Sequence, residues 1–294
     1  MKHAGLLTTS VSDWHPLPGV SPLPGCWPDS EHVSAEFVRI RNASIISGPL
    51  MRLRGIAATQ DMFLRALRDS YAAVPAGGTV WLHFSLHGSH VPDQDGDEAD
   101  GWDECLCLAP GRYTTLREYW KRGQGVMVDD DFGAALSSDH LTVIVADYCM
   151  ARTGTRAANS EGIFHRGTPY GGEGTALKCS APVATMRSAL ARAPAPVVFL
   201  AACQPDQTAA DLRVDCSRCQ TSPPDIPAPM LGRHGALTYA LWSVWQQEGD
   251  WSMLRFRELW ERVQAWPRWA SLKQEPSIDY LGGDPDGRVF GGLG

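Results

Sequence analysis

No run of apolar residues in this 294-residue chain approaches the roughly 18 that span a bilayer. The opening segment, MKHAGLLTTSVSDW, holds only a few apolar residues before Thr8 and Thr9, too few for the apolar core of a signal peptide. The expectation is therefore a soluble, uncleaved, cytoplasmic chain with no membrane partner. Clustered positive charge is also missing: 26 Lys and Arg are scattered among 33 Asp and Glu, for a formal net charge of −7. A polyanion is held by grouped cations that neutralise its phosphates, so nucleic acid and anionic lipid are excluded as partners. No low-complexity tract, internal repeat or linker divides the chain. At 44% hydrophobic and 20% charged residues, the composition excludes disorder and favours a single domain over residues 1–294.

Eight cysteines in a chain of this length do not make a disulfide framework, which belongs to short secreted domains, so they are expected as thiols. Cys105 and Cys107 form a C-x-C and Cys216 and Cys219 a C-x-x-C, which together would supply the four thiolates of a zinc site. The pairs are far apart and no other ligand spacing surrounds them. Two buried small hydrophobes and a polar loop account for them more simply.

Short β-branched and aromatic runs alternate with helical patterns, which predicts an α/β sheet covered by helices on both faces. The clearest strands are 79–86 (TVWLHFSL), 141–147 (LTVIVAD) and 196–203 (PVVFLAAC), near-continuous apolar runs of the kind buried on both faces. Thr59 can cap a helix carrying Phe63, Ala66, Leu67 and Tyr71 at helical spacing, and 183–193, 235–247 and 253–266 read as further helices. In these, Trp242, Trp245, Leu254 and Trp260 are most simply core. Three long loops are expected: an acidic one at 93–104, a Gly, Arg and Ser-rich one at 151–178, and a Pro and Asp-rich one at 215–229.

Ligands of open α/β sheets bind outside the carboxyl ends of the strands. One strand runs into Ser85-Leu86-His87-Gly88 and a second into Asp147-Tyr148-Cys149. A histidine and a cysteine on neighbouring strand ends make a thiol nucleophile with its proton-transfer partner. The spacing His83, His87, His90 resembles a metal cluster, but on a strand four residues span about 13 Å, which no common zinc ion bridges. Gly88 lets its backbone N–H approach a substrate carbonyl.

The order LPGCWPD (23–29), FSLHG (84–88), the acidic run DQDGDEADGWDE, VMVDDD (126–131), VADYC (145–149), ACQPDQTAAD (202–211) and GALTYAL (235–241) resembles the metacaspases, caspase-fold cysteine peptidases. The resemblance covers nearly the whole chain. It implies a caspase-like fold: a central, mostly parallel sheet of about six strands with helices on both faces. A large-subunit-like part at 1–150 would be joined through a loop at 151–180 to a small-subunit-like part at 181–294. It implies a peptidase in which Cys149 is the nucleophile, His87 the general acid and base, and the amides of Gly88 and Cys149 the oxyanion donors, with an acyl-enzyme intermediate. The family's specificity pocket carries over to Cys26, Asp29, Ser85, Asp147 and Asp211.

Independently of that resemblance, three carboxylates converging beside a nucleophile favour a cation, and a guanidinium can be gripped bidentately. Cleavage is expected after Arg, and next after Lys, in a protein or peptide substrate. The Q-A-C-[RQG]-G signature of true caspases is absent around Cys149.

The acidic run, with Asp93, Asp95, Asp97, Glu98, Asp100, Asp103 and Glu104, suggests calcium, yet Glu98 stands where an EF-hand needs glycine. Many metacaspases are calcium-activated through acidic residues that include a pair matching Asp129 and Asp130. The candidate ligands are thus Asp129, Asp130, Asp103 and Glu104, while no cofactor is required. Met150-Ala151-Arg152 and Arg156 depart from the family pattern and leave calcium dependence open. An enzyme that cuts after basic residues could also cut itself at Arg152, Arg156, Arg166 or Lys178, or at Arg187 or Arg192 further along the same stretch. The resemblance suggests a monomer whose task is limited proteolysis of a partner, suited by analogy to cell death or anti-phage defence. The competing function is a non-catalytic caspase-like scaffold or regulator.

Overall fold

The structure is a computed structural model that describes residues 2–12, 22–93, 96, 101–110, 116–120, 125–148, 164–165, 186–204, 207, 209–213, 232–247 and 253–293. The first half of the chain contributes β1 (Lys2–Ser10), α1 (Cys26–Asn42), β2 (Ile46–Ser47), β3 (Leu50–Arg54), α2 (Gln60–Ala73), β4 (Thr79–Ser85), β5 (His87–Pro92), β6 (Trp102–Cys107), α3 (Leu116–Tyr119), β7 (Val126–Val128), α4 (Asp129–Ala134) and β8 (Leu141–Asp147). The second half contributes β9 (Phe164–His165), α5 (Met186–Arg192), β10 (Val197–Ala201), β11 (Ala210–Arg213), β12 (Arg233–Gly235), α6 (Ala236–Gln247), α7 (Phe256–Gln264), α8 (Trp269–Leu272) and β13 (Ser277–Leu281).

The three apolar runs become β4, β8 and β10, side by side in a seven-stranded sheet of order β13-β10-β8-β4-β1-β2, with β3 also paired to β1. The pairings are parallel except for β13, which lies antiparallel against β10. The two short strands β2 and β3 share one edge of β1, so the sheet is six positions wide. Because side chains alternate across a strand, both faces of an apolar run are used. Leu82, Phe84, Ile144, Val197 and Phe199 pack with Phe63 and Leu67 of α2, Phe132 of α4 and Leu190 of α5. Trp81, Val143, Val145, Val198 and Leu200 pack with Phe37 of α1, Leu241 of α6 and Leu259 of α7.

The expected caps and faces are present. The Thr59 hydroxyl accepts from the Met62 amide at the start of α2, and Phe63, Ala66, Leu67 and Tyr71 are its buried face. Trp245, Leu254 and Trp260 are buried as expected, while Trp242 is half-buried. Among the described residues no helix is long and apolar enough to cross a membrane.

Two smaller sheets stand beside the main one: β5-β6-β7 and β12-β11-β9, both antiparallel. The first corrects the expected acidic loop at 93–104, because Trp102–Cys107 is strand β6, which places Asp103 and Glu104 opposite Val91 and His90 of β5. Both are buried, since the β5–β6 ladder lies against the core instead of in solvent.

Phe84 is fully buried between Phe63 and Phe132, with ring centroids 5.6 and 5.5 Å away. Phe84→Ala leaves a cavity on one face of the central sheet and should lower unfolding free energy by about 3–5 kcal/mol in urea titration. A loss under about 1 kcal/mol would show that these rings do not pack as described.

Candidate functional site

Parallel pairing in register brings strand ends level. Ser85 at the end of β4 is the partner of Asp147 at the end of β8, and of Ser10 at the end of β1. The Ser85 hydroxyl donates to Asp29 Oδ2 at 2.7 Å. Asp29, in the first turn of α1, also accepts from the Gly235 amide at 3.0 Å and from His234 Nδ1 at 3.1 Å. Gly235 in turn lies opposite Asp211 across the β11–β12 ladder. All of Asp29, Asp147, Asp211 and Ser85 are fully buried, and they form one cluster drawn from four distant segments. Cys26, the first residue of α1, is buried beside them in sequence.

Helix starts hold two of these carboxylates. The first turn of a helix has amides with no partner inside the helix, and its dipole favours negative charge. Asp211 accepts from the amide of Gly25, the N-cap residue of α1, at 2.9 Å. Asp147 accepts from the amide of Thr238, the third residue of α6, at 2.7 Å. Gly25 is required by this contact, for a Cβ there would stand 2.6 Å from Asp211 Oδ1.

A second polar layer lies under the cluster. His83 bonds Thr8 through Nδ1 at 2.9 Å and Thr238 through Nε2 at 3.0 Å, and Thr8 donates to Ser30. His83 is therefore a structural clamp joining β1, β4 and α6. His87 opens β5 two residues past Ser85 and is fully buried. Gly88 follows it, opposite Leu106. Cys149, two residues beyond Asp147, lies outside the described residues, as do Arg152, Arg156, Arg166, Lys178, Cys216 and Cys219. Arg187 and Arg192 belong to α5, ion-paired to Asp279 and Asp130.

With this cluster at the strand ends, comparison with known proteins is decisive. A family model described as the caspase domain matches residues 15–280. The chain belongs to the caspase domain family. It is similar to Metacaspase-1A of Neurospora crassa, 33% identical over 93 residues, which is 29% of this chain and 19% of that protein. It is also similar to Metacaspase-1 of Arabidopsis thaliana, 39% identical over 61 residues, 21% of this chain and 14% of that protein. The matched segments thus span less than a fifth of either relative. The crystal structure of a Geobacter sulfurreducens protein superposes with a TM-score of 0.63 at 19% identity, covering 99% of this chain and 100% of that one, a likeness of fold.

Two of the candidate calcium ligands of this caspase-domain chain have partners of their own. Glu104 accepts from the Met186 amide and sits 3.9 Å from His90 Nε2, while Asp130 turns to Arg192 at 2.8 Å. Among the described residues, Asp103, Glu104, Asp129 and Asp130 do not form a metal-ligand set. No step below is routed through calcium. Cys105 and Cys107 are fully buried in the core, and burial, ahead of the neighbouring Cys107, pushes the Cys105 thiol up, which keeps it protonated.

Residues that sequence reasoning did not single out include His32, His234 and Thr238. Their signal was weak: His234 directly precedes GALTYAL, and His32 stands one turn after Asp29. His32 stacks on His234 at 4.8 Å and on Trp242 at 5.1 Å. Burial, then the His234 charge, lowers the His32 pKa from 6.5 to about 4, against an opposing pull from Asp29. Because its folded value is the lower one, His32 binds a proton in the unfolded chain first. Its contribution is complete above about pH 6.5 and is lost as pH falls towards 4, on the order of 3 kcal/mol. His32→Phe keeps a ring in the stack and should flatten the fall in melting temperature across that interval; an unchanged slope would assign it to other groups.

Proposed function

We propose that this caspase-domain chain is a cysteine endopeptidase that cuts proteins after arginine, and next after lysine. The observation that carries the reading is the gathering of three buried carboxylates: Asp147 ends β8 level with Ser85 and two residues short of position 149, Asp29 of α1 is bonded to that Ser85, and Asp211 of β11 lies opposite Gly235, whose amide binds Asp29. Three buried carboxylates in one place favour a cation, and the planar guanidinium matches carboxylate geometry better than a point ammonium.

In the proposed mechanism Cys149 gives its thiol proton to His87, and the thiolate attacks the scissile carbonyl. The Gly88 and Cys149 amides receive the developing oxyanion. Collapse breaks the C–N bond as His87 returns the proton to the leaving amine, and water, deprotonated by His87, releases the acyl group. Register supports the pairing: with Ser85 and Asp147 level, His87 and Cys149 each follow by two residues, a reach of about 7 Å.

Matched fluorogenic peptides ending in Arg, Lys or Asp test this, with wild type and Cys149→Ala, with and without calcium. Hydrolysis should follow Arg over Lys, be absent for Asp, and vanish in Cys149→Ala. Asp211→Asn should raise KM for the Arg peptide about tenfold or more, by weakening the grip on the cation. No hydrolysis of the Arg peptide under either condition overturns the peptidase reading and leaves a non-catalytic scaffold.

A further inference from the structure

His234 sits on β12 with its Nδ1 3.1 Å from Asp29 Oδ1, both side chains buried. A carboxylate only accepts, so the contact requires the proton on Nδ1. Among the described residues Nε2 has no hydrogen-bond partner, so the hydrogen bond of the ring is the one from Nδ1 to Asp29. The ring cannot turn freely. It stacks on His32 at 4.8 Å and on Trp242 at an interplanar angle of 9°, with Tyr239 tilted against it at 5.4 Å. His32 belongs to the same helix as Asp29, one turn on, while His234 is next to Gly235, whose amide binds the same carboxylate. The aromatic stack therefore locks α1 to β12 with a donor aimed at one carboxylate oxygen while Ser85 holds the other.

We propose that His234 is a positioning residue for cation recognition: its Nδ1–H orients the Asp29 carboxylate and holds it ionised for a guanidinium. This rests on the cation-pocket part of the reading above. It extends it by assigning a residue that touches the pocket carboxylate from behind and does not itself contact substrate. Hydrogen bonds to the charged form favour that form, and an aimed carboxylate loses less freedom when it grips a ligand.

The test separates recognition from catalysis. In a Cys149→Ala background, calorimetry measures binding of an acetylated tetrapeptide amide ending in arginine and of its citrulline counterpart, which has the same shape without the charge. The parent should prefer arginine by about tenfold or more. With His234→Leu that preference should shrink to about threefold or less while citrulline binding stays put; His234→Asn, whose amide reaches the Nδ1 position, should restore it. An undiminished preference in His234→Leu, or no preference in the parent, overturns the proposal. Should the Leu variant not fold, side-chain nitrogen NMR of the parent decides: a proton on Nδ1 of His234 is expected, and a proton on Nε2 alone overturns it. Absent hydrolysis by the wild type with retained arginine preference would remove the peptidase reading and leave this assignment standing.

Discussion

Carboxylates buried at the carboxyl end of the central sheet impose the tightest constraint on this fold. A carboxylate taken out of water must be met by donors, and the donors come from parts of the chain that are remote in sequence. Asp211 meets the start of α1 through Gly25, Asp147 meets the start of α6 through Thr238, and Asp29 meets Ser85, His234 and Gly235. Each contact therefore joins a helix start to a strand. Displacing one carboxylate leaves its donors buried and unmatched, which costs more than the hydrogen bond is worth.

The layer beneath is polar for a related reason. His83 and Thr8 occupy positions where a parallel sheet ordinarily carries aliphatic side chains, and they bond to each other and to Ser30 of α1 and Thr238 of α6. Thr238 takes part in both layers, its hydroxyl facing His83 and its amide facing Asp147. The orientation of α6 is thereby coupled to the pocket. The price in apolar contact is offset by the two helix cores, built from Phe63, Phe84 and Phe132 on one face and from Trp81, Phe256 and Phe290 on the other.

Much of this was legible from residues alone. Continuous apolar runs identified β4, β8 and β10, because strands covered on both faces are predominantly apolar. The opposite holds for β1 and α1. The last third of β1 is Thr8, Thr9 and Ser10, all buried, and α1 buries Asp29, Ser30, Glu31, His32, Ser34 and Glu36. Hydropathy patterns see polar residues as exposed, so the elements nearest the site carried the faintest signal. Motif order recovered what periodicity missed: LPGCWPD and FSLHG name Asp29 and Ser85, which the fold then joins at 2.7 Å.

Sequence by itself determined the alternation of strands and helices, the caspase-like resemblance and the residue types at the strand ends, because these are local patterns of hydropathy and spacing. It also named Asp29, Ser85, Asp147 and Asp211 as candidates. Only tertiary structure decided that Glu104 and Asp130 are engaged elsewhere, by the Met186 amide and by Arg192, and that His83 clamps two hydroxyls. It alone brought His234 and His32 behind Asp29. The physical reason is that a buried charge is defined by the donors around it, and those donors lie up to 206 residues away along the chain.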